Sequence, residues 1–276
     1  MAAAATRAKT ALVLSGGGVY GAYQAGAWRA LEDVFSPDAV VGASIGALNG
    51  WMIAGGAPAK ELCAKWLDLE RLSRFRLHLP DHPFDGFLES SGVIAEIEHI
   101  HAGWRPRCEI GIATVEWPGF RRRLWRDEAA GARHLAASCA LPLVLPAQKL
   151  EGRYSFDGGL LGALPLWGAL EMGATDILAI NVWTHLPWWW REGFRLLLGG
   201  RLRRPAPPAG VRLGVLTPSR RLGPLRSAFR WKAANVREWI ELGERDALRL
   251  RANRTFPFEN VLSDNSRVWH PTASSE

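Results

Sequence analysis

Two short apolar runs early in the chain each stop at a glycine-bearing turn and resume as helix, and this repeat fixes the class of fold. Ala11 to Leu14 ends at Ser15-Gly16-Gly17-Gly18. Four apolar residues bounded by glycine predict a buried strand feeding a tight loop. From Gly21 to Phe35 the spacing becomes helical. Trp28, Leu31 and Phe35 share one face, Arg29, Glu32 and Asp33 take the polar side, and Pro37 ends the helix. Ala39-Val40-Val41 then repeats the strand, Gly42-Ala43-Ser44-Ile45-Gly46 the turn, and Ala47 to Ala54 the helix. This order predicts an α/β sheet with parallel strands.

The remaining elements extend the same architecture. Helices are predicted over Ala59 to Leu69, Gly92 to His101, Ala130 to Cys139, Pro165 to Met172 and Phe229 to Leu250. Strands are predicted over Glu109 to Val115, Arg122 to Trp125, Asp176 to Val182 and Val211 to Leu216, with a hairpin around Glu151-Gly152. Arg71 to Ser91 reads as an irregular connection. Every element fits one core, so a single domain is expected over residues 1–262, with 263–276 a mobile tail.

Composition excludes several classes. Of 276 residues, 48% are hydrophobic and 22% charged, which is ordinary for a globular chain and not for a disordered one. No apolar run approaches the ~20 residues of a membrane span, and no signal-peptide core precedes Ser15. Cys63, Cys108 and Cys139 form neither a disulfide framework nor a metal pair, so a reducing, cytoplasmic setting is expected. The net charge of +7 is uneven. Leu186 to Glu276 carries 17 Lys and Arg against 8 Asp and Glu, and the rest of the chain is slightly acidic. This asymmetry suggests an anionic partner, although 29 of the 34 basic residues are Arg, which base composition alone can produce.

Chemistry concentrates in the two turns. Gly42-Ala43-Ser44-Ile45-Gly46 matches G-x-S-x-G, a turn that pushes a serine hydroxyl out at a helix N-terminus. The competing role for Ser44 is helix capping. Gly16-Gly17-Gly18-Val19-Tyr20-Gly21 also fits a dinucleotide loop, but the required acid, Asp38, sits at the wrong end of the second strand, and no Gly-Lys-Ser/Thr follows to make a P-loop. Consecutive glycines instead offer backbone N–H groups to an oxyanion beside Ser44. Asp157, in Phe156-Asp157-Gly158-Gly159, is the candidate base, with a turn-forming Asp as its alternative. A triad in the order Ser, Asp, His leaves His185 and His270, of which His185 alone is a serious candidate.

Taken in order, the Gly-rich loop, G-x-S-x-G, Ala137-Ser138-Cys139-Ala140-Leu141-Pro142 and Asp157-Gly158-Gly159-Leu160 resemble the patatin-like phospholipase family in its compact bacterial form. The resemblance spans residues 10 to 183. It implies a three-layer α/β/α fold with a central, mostly parallel sheet. It also implies a Ser-Asp dyad, with Ser44 as nucleophile, Asp157 as general base, and the N–H groups of Gly16, Gly17 and Gly18 as oxyanion hole. Gly42, Gly46, Gly158 and Gly159 support the motifs. The implied activity is serine hydrolysis of lipid acyl esters, of phospholipase A, lysophospholipase or esterase type, with no metal or cofactor. Two alternatives stand beside it: a catalytically silent membrane-binding module and a lipid acyltransferase. The chain departs from the family at Tyr20, where a basic residue is common, and at Gly162-Ala163, where Asn is common.

Trp188-Trp189-Trp190-Arg191, with Arg195 and the leucines after it, resembles an interfacial segment. Its bland counterpart is aromatic cover for the core under solvated arginines. The partner expected is a phospholipid or other acyl-ester lipid at the inner face of the membrane. No nucleic acid is expected, because no nucleic-acid motif accompanies the charge.

Overall fold

The computed structural model describes residues 8–68, 79–80, 82, 84–183 and 208–252. The strands are β1 (Thr10–Leu14), β2 (Ala39–Ala43), β3 (Glu109–Trp117), β4 (Arg121–Arg126), β5 (Gln148–Leu150), β6 (Arg153–Asp157), β7 (Asp176–Ile180) and β8 (Arg212–Leu216). The α-helices are α1 (Gly21–Arg29), α2 (Ile45–Ala54), α3 (Ala59–Asp68), α4 (Ser91–Gly103), α5 (Ala132–Cys139), α6 (Leu166–Glu171) and α7 (Ala233–Ala252).

The strands form one sheet in the order β5-β6-β3-β2-β1-β7-β8, with β4 paired to β3. β1, β2, β3, β7 and β8 run parallel to their neighbours in the centre. β3 pairs antiparallel with both β4 and β6, and β5 with β6, so the sheet is mixed. The two hairpins cause the mixing. β5 and β6 are joined by Glu151-Gly152, both at positive φ (45° and 79°), the twist that a two-residue hairpin needs.

Alternation along the central strands builds two cores. Leu12, Leu14, Val40, Ile110, Ile112, Leu178 and Ile180 face a large cluster with residues of α1, α2, α3, α5 and α7. Ala11, Val13, Ala39, Val41, Ile177 and Ala179 face the other way, onto Ala169 and Met172 at α6. The result is a layered α/β/α architecture whose second helical layer, among the described residues, is thin. Strands covered on both faces carry near-continuous apolar runs, which is why β2 and β7 are buried throughout. α1 is buried at eight of its nine residues, and its last, Arg29, is ion-paired with Glu244 of α7.

Two helix limits differ from the sequence reading by four residues or more. The helix expected to reach Phe35 ends at Arg29. Leu31 and Phe35 keep their helical spacing because both stay buried in the turns that follow, while the Glu32 carboxylate leaves that register to accept the Ala59 N–H at 2.7 Å, at the start of α3. The last helix begins at Ala233, not Phe229. Phe229 closes a separate 3₁₀ turn, Leu225–Phe229, after which Arg230 is extended. Residues 71–78, 81 and 83 of the irregular stretch expected over Arg71 to Ser91, the Trp188 to Arg195 segment and the tail from 263 lie outside the described residues.

Candidate active site

The parallel strands β1 and β2 are neighbours, so their carboxyl ends bring both turns together. Ser44 follows β2 with φ 53° and ψ −129°, a conformation that costs an L-residue about 1–3 kcal/mol. It sits at the N-cap position of α2, yet its side chain makes no capping bond. The capping role is therefore unfilled, and the hydroxyl is free for other work. Gly46 lets α2 start this close to β1: a Cβ there would meet the Leu14 carbonyl oxygen at 2.4 Å.

The glycine loop lies against this elbow. A Cβ on Gly16 would stand 3.3 Å from Ser44 Cβ. The Gly16 N–H is already engaged, donating to the Ala163 carbonyl at 2.8 Å. Among the described residues the N–H groups of Gly17 and Gly18 meet no partner. Gly16 thus differs from the sequence expectation, in which all three glycines offer free donors. The loop is also held from beneath. The Gln24 side-chain amide donates to the Ser15 carbonyl at 2.7 Å, and the Asn49 amide donates to Gln24 Oε1 at 2.9 Å and to the Gly21 carbonyl at 3.0 Å. Trp66 Nε1 completes the chain by donating to Asn49 Oδ1 at 3.1 Å.

Asp157 ends β6 and is buried. Thr114, its register partner on β3, lies one step beyond Ala113, which pairs with Ala43. The carboxylate accepts the Gly159 N–H at 2.6 Å, so the turn-forming role is real. The Ser44 side chain acts on it as well, favouring its charged form. Burial pushes the Asp157 carboxyl up to about 6, and the Ser44 side chain and the Gly159 N–H only partly offset this.

The end of α5 clamps these parts together. Ser138 Oγ accepts the Ser44 N–H at 2.8 Å and donates to the Ala113 carbonyl at 2.7 Å. The Ala140 carbonyl accepts the Asp157 N–H at 3.0 Å. Between them lies Cys139; burial first, and then the Asp157 charge, push its thiol well above the usual thiol range, with the Ser44 side chain acting the other way. None of the described histidines hydrogen-bonds with Ser44 or Asp157, and His185 and His270 lie outside the described residues. Asp38 accepts from Thr10 at the opposite end of β1, far from where a dinucleotide ribose would need it. Tyr20, one of the family departures, is buried, with its hydroxyl on the Pro224 carbonyl and its ring between Trp183 and Trp239.

The sequence of residues 12–170 matches the family model described as patatin-like phospholipase, and this stretch holds the glycine loop, Ser44 and Asp157. The chain belongs to the patatin-like phospholipase family. It is 30% identical over 181 residues to lysophospholipase NTE1 of Mycosarcoma maydis, and 30% identical over 185 residues to patatin-like phospholipase domain-containing protein 7 of Rattus norvegicus. Each match covers 62% of this chain but only 9% and 13% of those relatives, which are far longer. Among solved structures, VipD from Legionella pneumophila aligns over 88% of this chain and 66% of its own, with a TM-score of 0.49 and 11% identity.

Ser138, Gln24 and Asn49 have no role in the sequence reading. A serine within Ala-rich α5 reads as a helix residue. Gln24 and Asn49 carry one usable signal: polar side chains inside α1 and α2 on otherwise apolar surroundings, where a buried amide has to find partners.

Proposed function

We propose that the chain is a serine acyl hydrolase acting on lipid esters through Ser44 and Asp157. The single observation that carries this is a buried carboxylate, shifted toward neutrality, whose charged form is favoured by the side chain of a serine on a strained strand–helix turn. Carboxylates are weak bases for alcohols in water. Burial removes part of that handicap by raising the proton affinity of Asp157, and the Gly17 and Gly18 N–H groups supply the second requirement, donors for the developing oxyanion. Gly16 then serves by close approach and by its bond to Ala163, which fixes the peptide ahead of those donors.

In the first half-reaction Ser44 Oγ bonds to the ester carbonyl carbon while its proton passes to Asp157. The tetrahedral oxyanion collapses, the ester C–O bond breaks, and the leaving alcohol takes the proton from Asp157. In the second half, Asp157 accepts a proton from water as its oxygen attacks the acyl-enzyme. The fatty acid leaves and the proton returns to Ser44. The family and the relative named as a lysophospholipase favour an acyl-ester lipid as substrate. Such a substrate resides at a bilayer surface, so the enzyme works as a peripheral protein; among the described residues no helix is long and apolar enough to cross a membrane.

The test is acyl release from nitrophenyl esters and from phospholipid vesicles by wild type, Ser44→Ala and Asp157→Asn. Turnover by wild type alone supports the dyad. Turnover that survives either substitution removes that residue from the mechanism, and a silent wild type favours a binding module. Product analysis with added alcohol separates transfer from hydrolysis.

A further inference from the structure

The sheet edge that carries Ser44 is not level. Ala113 of β3 pairs with Ala43 of β2, and β3 continues for four residues to Trp117, about 13 Å at the rise of a strand. β4 and β6 follow this extension, with Arg121 opposite Glu116 and Tyr154 opposite Trp117. Two turns, Pro118–Phe120 and Glu151-Gly152, therefore stand as a crest beyond the elbow, on the same edge of the sheet.

The crest is apolar at its apex. Trp117 is 38% exposed, with Phe120 edge-on at 5.2 Å. Phe84 packs against Trp117, Tyr154 and Phe156 at 6.3, 4.2 and 5.8 Å. Its segment leads to Phe87, 41% exposed, whose N–H donates to the carbonyl of Leu143, 65% exposed. Isolated exposed apolar residues are ordinary, but a contiguous patch with a charged rim marks a contact surface. The rim is basic: Arg121, Lys149 and Arg153 are all exposed. Arg122 turns inward onto the Leu161 carbonyl and the Trp167 ring. The two carboxylates at this end of the hairpins, Glu116 and Glu151, both face Arg123, at 3.8 and 3.0 Å.

We propose that this crest docks the protein on an anionic lipid bilayer, with Trp117 and Leu143 at the headgroup level and the three outward bases on lipid phosphates. Tryptophan favours that zone, and each basic residue near an anionic surface strengthens binding about fivefold. The purpose of docking rests on the lipid-hydrolase reading, since it lays the Ser44 edge of the sheet toward lipid. The binding itself requires no turnover.

The experiment uses the full chain carrying Ser44→Ala, so that no lipid is consumed, with vesicles of phosphatidylcholine with or without phosphatidylglycerol. Sedimentation with the phosphatidylglycerol vesicles at low salt, and its loss at high salt, is expected. Adding Arg121→Glu reverses one charge and should weaken partitioning about 25-fold. Adding Trp117→Ser with Leu143→Ser should weaken it about tenfold, in a protein whose thermal unfolding matches the parent. Absence of sedimentation, equal sedimentation of parent and variants, or loss confined to Trp188→Ser with Trp189→Ser would each overturn the proposal. Nitrophenyl ester turnover by wild type reads the hydrolase separately: a chain that docks but cleaves nothing keeps the crest and loses the enzyme, and the reverse result does the opposite.

Discussion

Replacing Asp157 by Asn should abolish turnover and stabilise the protein. The carboxyl rises from 3.8 to about 6 in the folded state, chiefly through burial. At about 1.4 kcal/mol per pH unit, holding the ionised form in the fold costs about 3 kcal/mol above pH 6. The raised value means the folded state favours the neutral acid. The favourable contribution is complete below 3.8 and is lost as the pH rises to about 6. Asn carries no charge to bury, and its Oδ1 can still accept the Gly159 N–H that Asp157 holds at 2.6 Å. Wild type and Asp157→Asn should therefore unfold at similar temperatures near pH 4 and diverge between pH 4 and 6. By pH 8 the variant should be more stable by about 3 kcal/mol, or about 6–12 °C in a chain of this size. Thermal unfolding by circular dichroism across that range is the assay. An Asp157→Asn protein that is no more stable than wild type at pH 8, or whose advantage is the same at pH 4, would refute the reasoning, because the cost would then not come from burying the charge.

Other consequences follow from the same contacts. If ionised Asp157 is the base, kcat/KM for ester hydrolysis should climb with pH and level off above about 6; a rate that falls across that range would contradict this assignment. Ser138→Ala leaves the Ser44 N–H and the Ala113 carbonyl unpartnered, and should cost about 1–3 kcal/mol of stability in denaturant titration together with a lower kcat. Gln24→Ala releases the Ser15 carbonyl beneath the glycine loop and should lower kcat more than it raises KM; an effect on KM alone would mean that the loop does not stabilise the transition state.

The central sheet was readable because its strands are short apolar runs ended by glycine, and because each turn carries a residue type that does one thing. Ser44 and Asp157 stood out through their glycine neighbours, which permit the close approach seen at Gly16 and Gly46. Both hairpins were visible as turns, although Glu116 and Trp117, expected in the first turn, extend β3; the antiparallel join of β6 to β3 was not visible, since alternation alone does not name a strand's neighbour. The supporting bonds were invisible for another reason. Ser138 reaches Ser44 across 94 positions, and no local pattern encodes a contact of that range. The engagement of Gly16 by Ala163 likewise depends on how two loops meet, at one of the positions where the sequence departs from its family.

The most direct test is covalent. A fluorophosphonate probe mimics the tetrahedral intermediate and reacts only with a serine that has a base and an oxyanion hole in place. Intact-mass and peptide analysis should find one phosphonyl group per chain, on Ser44, with labelling lost in Ser44→Ala and strongly slowed in Asp157→Asn. Labelling at another residue, or an unlabelled wild type that is fully folded, would contradict a nucleophilic Ser44.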